Sequence, residues 1–195
     1  MKIIFAGIAL ATIFFAACNS NSNNTSKENA DKVADTTQSK AQTQVLTEAK
    51  PAMSVNEITA GYLQLKNALA NDNGKGAADA GKTIVETLAK IDTTSFTTDQ
   101  KKVYNEVESD VKENAEHIGA NADKIAHQRE HFEMLSKDVY DLVKAFKPNQ
   151  TLYKDFCPMY NGGKGANWIS ETKGIKNPYL GKKMATCGSV KEEIK

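Results

Sequence analysis

The sequence predicts an all-α fold, an antiparallel four-helix bundle with a loop-rich Cys/Met-containing C-terminal tail packed on it. Three observations predict it. Four successive segments between Ser54 and Phe146 repeat apolar residues at helical spacing. The breaks between them are short and built from Asn, Asp, Gly and Thr, residues that end helices and form turns. No alternation of the strand kind precedes the tail. Helices of similar length joined by short connections pack antiparallel around one core.

The chain opens on Met1-Lys2 and an apolar run, Ile3 to Ala17. The run is short for a spanning helix, which needs roughly 20 apolar residues, and has the length of a signal-peptide core. It ends Phe15-Ala16-Ala17-Cys18, followed by Asn19-Ser20-Asn21-Ser22-Asn23-Asn24. Small residues immediately before a Cys resemble the lipobox of bacterial lipoproteins, which implies residues 1–17 as a lipoprotein signal peptide and Cys18 as the lipidated first residue. The expected location is the cell envelope, lipid-anchored to a membrane and facing the periplasm, where disulfides are permitted.

Residues 18–53 are rich in Asn, Ser, Thr, Gln, Lys and Ala. That composition buries too little apolar surface to offset its ordering entropy and reads as a flexible tether. Residues 54–195 are then the folded helical-bundle domain, of ordinary size for one core. Lys and Arg number 25 against 24 Asp and Glu, and removal of Lys2 with the signal peptide makes the two signs equal. Such balance offers no field for nucleic acid or for a polybasic membrane patch.

The first helix begins at a capping box, Ser54-Val55-Asn56-Glu57, continues through Ile58, Tyr62, Leu65 and Leu69, and closes at Asn71-Asp72-Asn73-Gly74. A second spans about Lys75 to Ile91, with Ala77, Ala80, Gly81, Ile84, Leu88 and Ile91 on one face; its small residues predict close packing on a neighbour. Asp92-Thr93-Thr94 breaks it. The third spans about Thr98 to Ile118 on a stripe of Val103, Val107, Val111, Ala115 and Ile118. After Gly119-Ala120-Asn121, the fourth runs from about Ala122 to Phe146 with Ile125, Phe132, Leu135, Val139, Leu142 and Val143 inward, and Pro148 stops it.

The tail holds the chemistry. Cys157 and Met159 are two apart across Pro158, and Met184 and Cys187 are three apart, so each pair can face one point. Two thiols and two thioethers are soft donors that suit Cu(I) over Mg, Ca or Mn. The same residues also allow a Cys157–Cys187 disulfide that pins the tail, with the methionines as packing. Spacing alone favours the disulfide. Gly162-Gly163-Lys164-Gly165 has neither a preceding strand nor a following Lys-Ser/Thr and reads as a turn, not a phosphate loop.

Gln128-Arg129-Glu130-His131-Phe132, Leu135-Ser136, Leu152-Tyr153, Cys157-Pro158-Met159, Gly165-Ala166-Asn167-Trp168-Ile169-Ser170, Ile175-Lys176-Asn177-Pro178-Tyr179-Leu180-Gly181 and Met184-Ala185-Thr186-Cys187-Gly188 follow one another in order. This series, over about Ser54 to Val190, resembles an uncharacterised bacterial envelope domain, a domain-of-unknown-function family also found fused to CusB-type periplasmic adaptors of heavy-metal efflux pumps. Cys-Pro-Met is also similar to a short motif of copper transport proteins, although Tyr160-Asn161 stands where His-Pro normally follows. The resemblance implies a metal-handling role, with copper foremost, carried by Cys157, Met159, Met184 and Cys187, with a metal-efflux adaptor or pump as partner. It shifts the reading of the tail from disulfide to ligand set.

His127 and His131 are one helical turn apart and His117 ends the preceding helix. The residues between the first two, Gln128-Arg129-Glu130, do not give a zinc-protease arrangement, and Arg129 disfavours a neighbouring cation. His131 is carried forward as an extra ligand beside the tail. Arg129 is expected to anchor the tail through its carbonyls or through an Asp across the bundle. Phe156, Trp168 and Tyr179 are expected to pack the tail onto the helices. No nucleophile, base and acid occur together, so the chain reads as a binding protein and not an enzyme.

Overall fold

The computed structural model describes residues 54–195. The expected signal peptide, tether and lipidation site Cys18 lie outside the described residues. Four helices pack together: α1 Val55–Ala70, α2 Gly74–Leu88, α3 Thr98–Ala120 and α4 Ile125–Phe146. No described helix is long and apolar enough to cross a membrane.

The helix starts follow local chemistry. Glu57 reaches back to the Ser54 amide, as the capping box requires. Thr97 and Gln100 form a second box, in which the Gln100 amide donates to Thr97 Oγ1 at 3.2 Å and the Thr97 amide donates to Gln100 Oε1 at 3.0 Å. Asn73 caps α2 by accepting from the Gly76 amide at 2.9 Å. The small face of α2 makes the predicted close contacts: a Cβ on Gly81 would lie 2.7 Å from the Ala115 carbonyl oxygen of α3. Ile58, Tyr62, Leu65, Leu69, Ile84, Val111, Ile118, Phe132, Leu135 and Val139 are buried in one core.

The all-α expectation fails in the tail. Residues 152–194 contain a three-stranded antiparallel sheet in the order β2-β1-β3, with β1 Leu152–Cys157, β2 Ala166–Ser170 and β3 Ser189–Ile194. No simple alternation marks these strands because both faces of the sheet bury residues. Asp155, Cys157, Ala166 and Trp168 are buried on one face, where Tyr179 and Gly188 lie against Trp168. Leu152 and Ile169 are buried on the other, where Tyr140 of α4 sits under Lys154 at 3.8 Å. β3 adds a further irregularity. Its pairing jumps from Lys154↔Glu192 to Asp155↔Val190, leaving Lys191 as an extra residue, a β-bulge.

The sheet is bound to the bundle by specific polar contacts. The Ile169 amide donates to the Tyr62 hydroxyl at 3.0 Å; that hydroxyl lies 2.8 Å from Ser136 Oγ, which donates to the Phe132 carbonyl at 2.7 Å. Tyr62 thus satisfies an N–H on the outer edge of β2 that no strand pairs. Lys66, fully buried on α1, pairs with Glu171 at 2.7 Å just after β2. Glu192 of β3 accepts from Tyr140 and from Lys144 of α4, each at 2.7 Å. Arg129 fulfils its expected role: Nε donates to the Pro178 carbonyl at 2.8 Å, while one terminal nitrogen donates to the Leu69 carbonyl at 3.0 Å and to Asp72 at 2.6 Å.

One buried group stands out. Among the described residues, both carboxyl oxygens of Asp155 lack a hydrogen-bond partner, as does Nε1 of its cross-strand neighbour Trp168. Burial pushes the Asp155 carboxyl up to about 7, against the pull of Lys66. The folded state therefore holds this proton more tightly than the unfolded chain, whose Asp titrates near about 4. The associated stability is fully present below that value and is lost as pH rises to about 7. Asp155→Asn, which mimics the protonated form, should match the native protein in thermal stability at pH 4 and exceed it at pH 8. A difference independent of pH would contradict this assignment.

Arg129→Ala strips partners from two carbonyls and from Asp72 and should cost about 2–3 kcal/mol in urea unfolding. Arg129→Lys should recover only a fraction of that, because an ammonium cannot reproduce the forked geometry.

Candidate functional site

The structure brings the two thiols together. Cys157 ends β1, fully buried, and Cys187 lies two residues before β3, half-buried. Neither is bridged, and their Sγ atoms are 2.8 Å apart. Thirty residues separate them in sequence; the antiparallel return of the chain beside β1 makes the meeting.

The loop before β3 is shaped to present Cys187. Asn177 is fully buried and acts as its clamp. Its side-chain oxygen accepts from the amides of Tyr179 and Leu180 at 2.8 and 2.9 Å, and its side-chain nitrogen donates to the Cys187 carbonyl at 2.7 Å. Its own backbone amide donates to the Ala185 carbonyl at 2.8 Å. Gly188, at φ 140°, passes so close to Trp168 that a Cβ there would lie 2.9 Å from the indole. Gly181, at φ 55°, leaves no room for a side chain against Asp72, whose carboxylate accepts from the Lys182 amide at 3.1 Å. In the sequence, Asn177 stands out only through the resemblance. Its Asn-Pro-Tyr setting is the one signal that could have marked it as a turn-forming clamp.

The two methionines flank the thiols through their backbones. The Met184 carbonyl accepts from the Cys187 amide at 3.1 Å, and the Met159 backbone lies near the Cys187 sulfur. Their side chains are largely in solvent, 59 % exposed for Met159 and 39 % for Met184. The thioethers are therefore left unpacked, on residues whose backbones neighbour Cys187. The Cys157 thiol beside Cys187, together with burial, raises the Cys187 pKa and keeps it in the thiol form at neutral pH.

Tyr179 joins the tail to the bundle as expected, its ring 5.5 Å from Phe132, and Trp168 packs edge-on against Tyr179. Phe156 does not; it lies over Gly165 and beneath Lys191, at the turn end of the sheet.

His131 does not join the tail either. On α4, Arg129 and Phe132 contact the tail, whereas His131 points to α3 and meets Asn114 at 2.9 Å. It stands with His117 and His127, and one ligand atom from each lies within 4.8 Å of the others.

Comparison with known proteins adds one match. A family model described as "Protein of unknown function (DUF3347)" covers residues 58–151, from the first turn of α1 to the residue before β1. The match includes Arg129 and the three histidines, and it ends short of the cysteines and the sheet. No curated protein and no solved structure matches the chain. Over residues 58–151 the helical bundle matches the DUF3347 family of proteins of unknown function.

Proposed function

We propose that this protein binds a soft metal ion, Cu(I) foremost, in the cell envelope, for buffering or for delivery to an efflux system. The observation that carries the reading is the contact between Cys157 and Cys187, with the Met184 backbone hydrogen-bonded to Cys187, the Met159 backbone near its sulfur, and both methionine side chains exposed. Two thiols in contact, with two exposed methionines on the neighbouring backbone, offer the soft donors that select Cu(I) among biological cations. Cys157 is the fixed ligand, held in the sheet; Cys187 sits on a loop and is the ligand that moves to admit the ion. The thioethers, free to swing, complete the coordination and offer a route for exchange with a partner's ligands. Under this proposal Cys18 carries a lipid anchor, residues 18–53 supply reach, and the recipient is an efflux adaptor or pump. The role is binding, not catalysis.

A second reading is favoured by the complete burial of Cys157 and its direct contact with Cys187. In it the pair closes to a disulfide that clasps the tail to the sheet, no metal binds, and the domain is an interaction module. The two readings make opposite demands on thiol state.

Cu(I) titrated into the whole reduced protein against a chromophoric chelator should load one ion per chain. Cys157→Ser and Cys187→Ser should each abolish chelator competition, whereas Met159→Leu and Met184→Leu should weaken it. Affinity should rise with pH, because binding requires loss of the Cys187 proton, which is held more tightly than in a free thiol. No competition by the reduced protein, with a stable disulfide in protein taken freshly from the envelope, selects the clasp.

Asn177→Ala should loosen the loop that presents Cys187 and cost about 1–3 kcal/mol for the unpartnered buried groups left behind. Alkylation of the Cys187 thiol in the reduced protein should accelerate accordingly. An unchanged alkylation rate would show that Asn177 does not set the position of Cys187.

A further inference from the structure

We propose that His117, His127 and His131 form a second metal site, for a divalent ion of the Zn(II) and Cu(II) class, distinct from the thiol corner. The three come from the end of α3 and the first turns of α4, so the short α3–α4 turn gathers them. The rings of His117 and His131 stack at 4.3 Å, and His127 stands nearly perpendicular to both, 4.6 Å from His131 and 6.1 Å from His117. One ligand atom from each lies within 4.8 Å of the others. A tetrahedral ion with metal–nitrogen bonds of about 2.0–2.1 Å needs nitrogens roughly 3.4 Å apart. The closing movement is about an ångström, within the reach of small side-chain rotations.

The hydrogen bonds around the cluster set the rings for coordination. Asn114 donates through Nδ2 to the Asp110 carbonyl at 2.8 Å, which fixes its amide with Oδ1 toward His131. That oxygen can only accept, so His131 Nδ1, 2.9 Å away, must carry the proton. The lone pair of His131 is then on Nε2, available to an ion. His127 repeats the arrangement with Nδ1 at 3.3 Å from Glu130, and His117 turns Nε2 toward Glu113 at 4.0 Å. An amide or carboxylate holding one ring nitrogen, as at His131 and His127, is the usual outer support of metal-ligating histidines. Burial, with the two neighbouring histidines, lowers the His131 pKa and favours the neutral ring that ligates.

Charge also permits a cation here. Arg129, adjacent in sequence, commits its guanidinium to Pro178, Leu69 and Asp72 on the side of α1 and the tail. Glu113 and Glu130 supply negative charge beside the three rings. Imidazole donors without thiolate suit Zn(II), Cu(II), Ni(II) and Co(II), not the softer Cu(I). His117 is exposed, so the fourth position faces solvent and the ion is exchangeable.

Zn(II) is the probe. Calorimetric titration of the whole protein carrying Cys157→Ser and Cys187→Ser should show one Zn(II) per chain. His127→Gln and His131→Gln should each weaken binding at least 100-fold with unchanged helical circular dichroism. Asn114→Ala should weaken it about 10–100-fold while leaving all three imidazoles in place. Should the serine variant fail to fold, the wild-type background serves, and His127→Gln should lower the zinc stoichiometry by one. Absence of saturable binding in the folded serine variant overturns the proposal, as does a stoichiometry and affinity untouched by His127→Gln. Failure of Cu(I) to bind the thiols leaves it standing.

Discussion

Arg129 is the joint on which the remaining geometry hangs. Its single guanidinium holds the last turn of α1 through Leu69, the α1–α2 turn through Asp72, and the tail through Pro178. Asp72 in turn receives the Lys182 amide, so the same cross-link seats the turn that precedes Met184 and Cys187. A forked, permanently charged donor can join three chain segments in one plane, which a lysine cannot. The thiol corner is therefore positioned from the bundle, although no helix contributes a thiol to it.

Helix α4 is the spine that makes this possible, because successive residues serve different neighbours. Gln128 donates to the carbonyls of Gly74 and Ile118, Arg129 serves α1 and the tail, His131 turns to α3, Phe132 enters the core, and Glu133 accepts from Asn161 in the β1–β2 turn. The roughly 100° step between helical residues turns His131 to α3 while Arg129 and Phe132 meet the tail.

Much of the bundle was legible in the sequence because its helices are amphipathic and capped by short-range signals. Ser54 with Glu57, Asn73, and Thr97 are local devices that need no tertiary knowledge. The sheet was not legible. Leu152 and Ile169 are buried on one face while Asp155, Cys157 and Trp168 are buried on the other, so period-two alternation is erased, and β3 reads as a charged surface run. Within the site, the pairing of Cys157 with Cys187 could be anticipated from residue type. The placement of His131 could not. Spacing showed that His127 and His131 share a helix face, but which neighbour that face meets depends on the rotation of α4, and that is set by the packing of Phe132 and Leu135. Asn177 went unread because a buried amide that clamps a loop looks, in sequence, like any other turn asparagine.

The extra residue in β3 bears on how the gene for this protein can change. At one end of the strand Glu192 must meet Tyr140 and Lys144 on α4; at the other Gly188 must pass Trp168 on the opposite face of the sheet, with Cys187 next in line. Four positions separate Gly188 from Glu192, and in an unbroken strand an even interval returns to the same face. The bulge at Lys191 supplies the half-turn that lets one strand serve both. Loss of a single codon there would turn the thiol outward or tear the strand from α4, whereas the glycine-rich turn at Gly162 and Gly163, where added side chains would meet nothing, has space for insertion. Length variation among descendants of this chain is thereby channelled into the β1–β2 turn, and the few residues after Cys187 are counted.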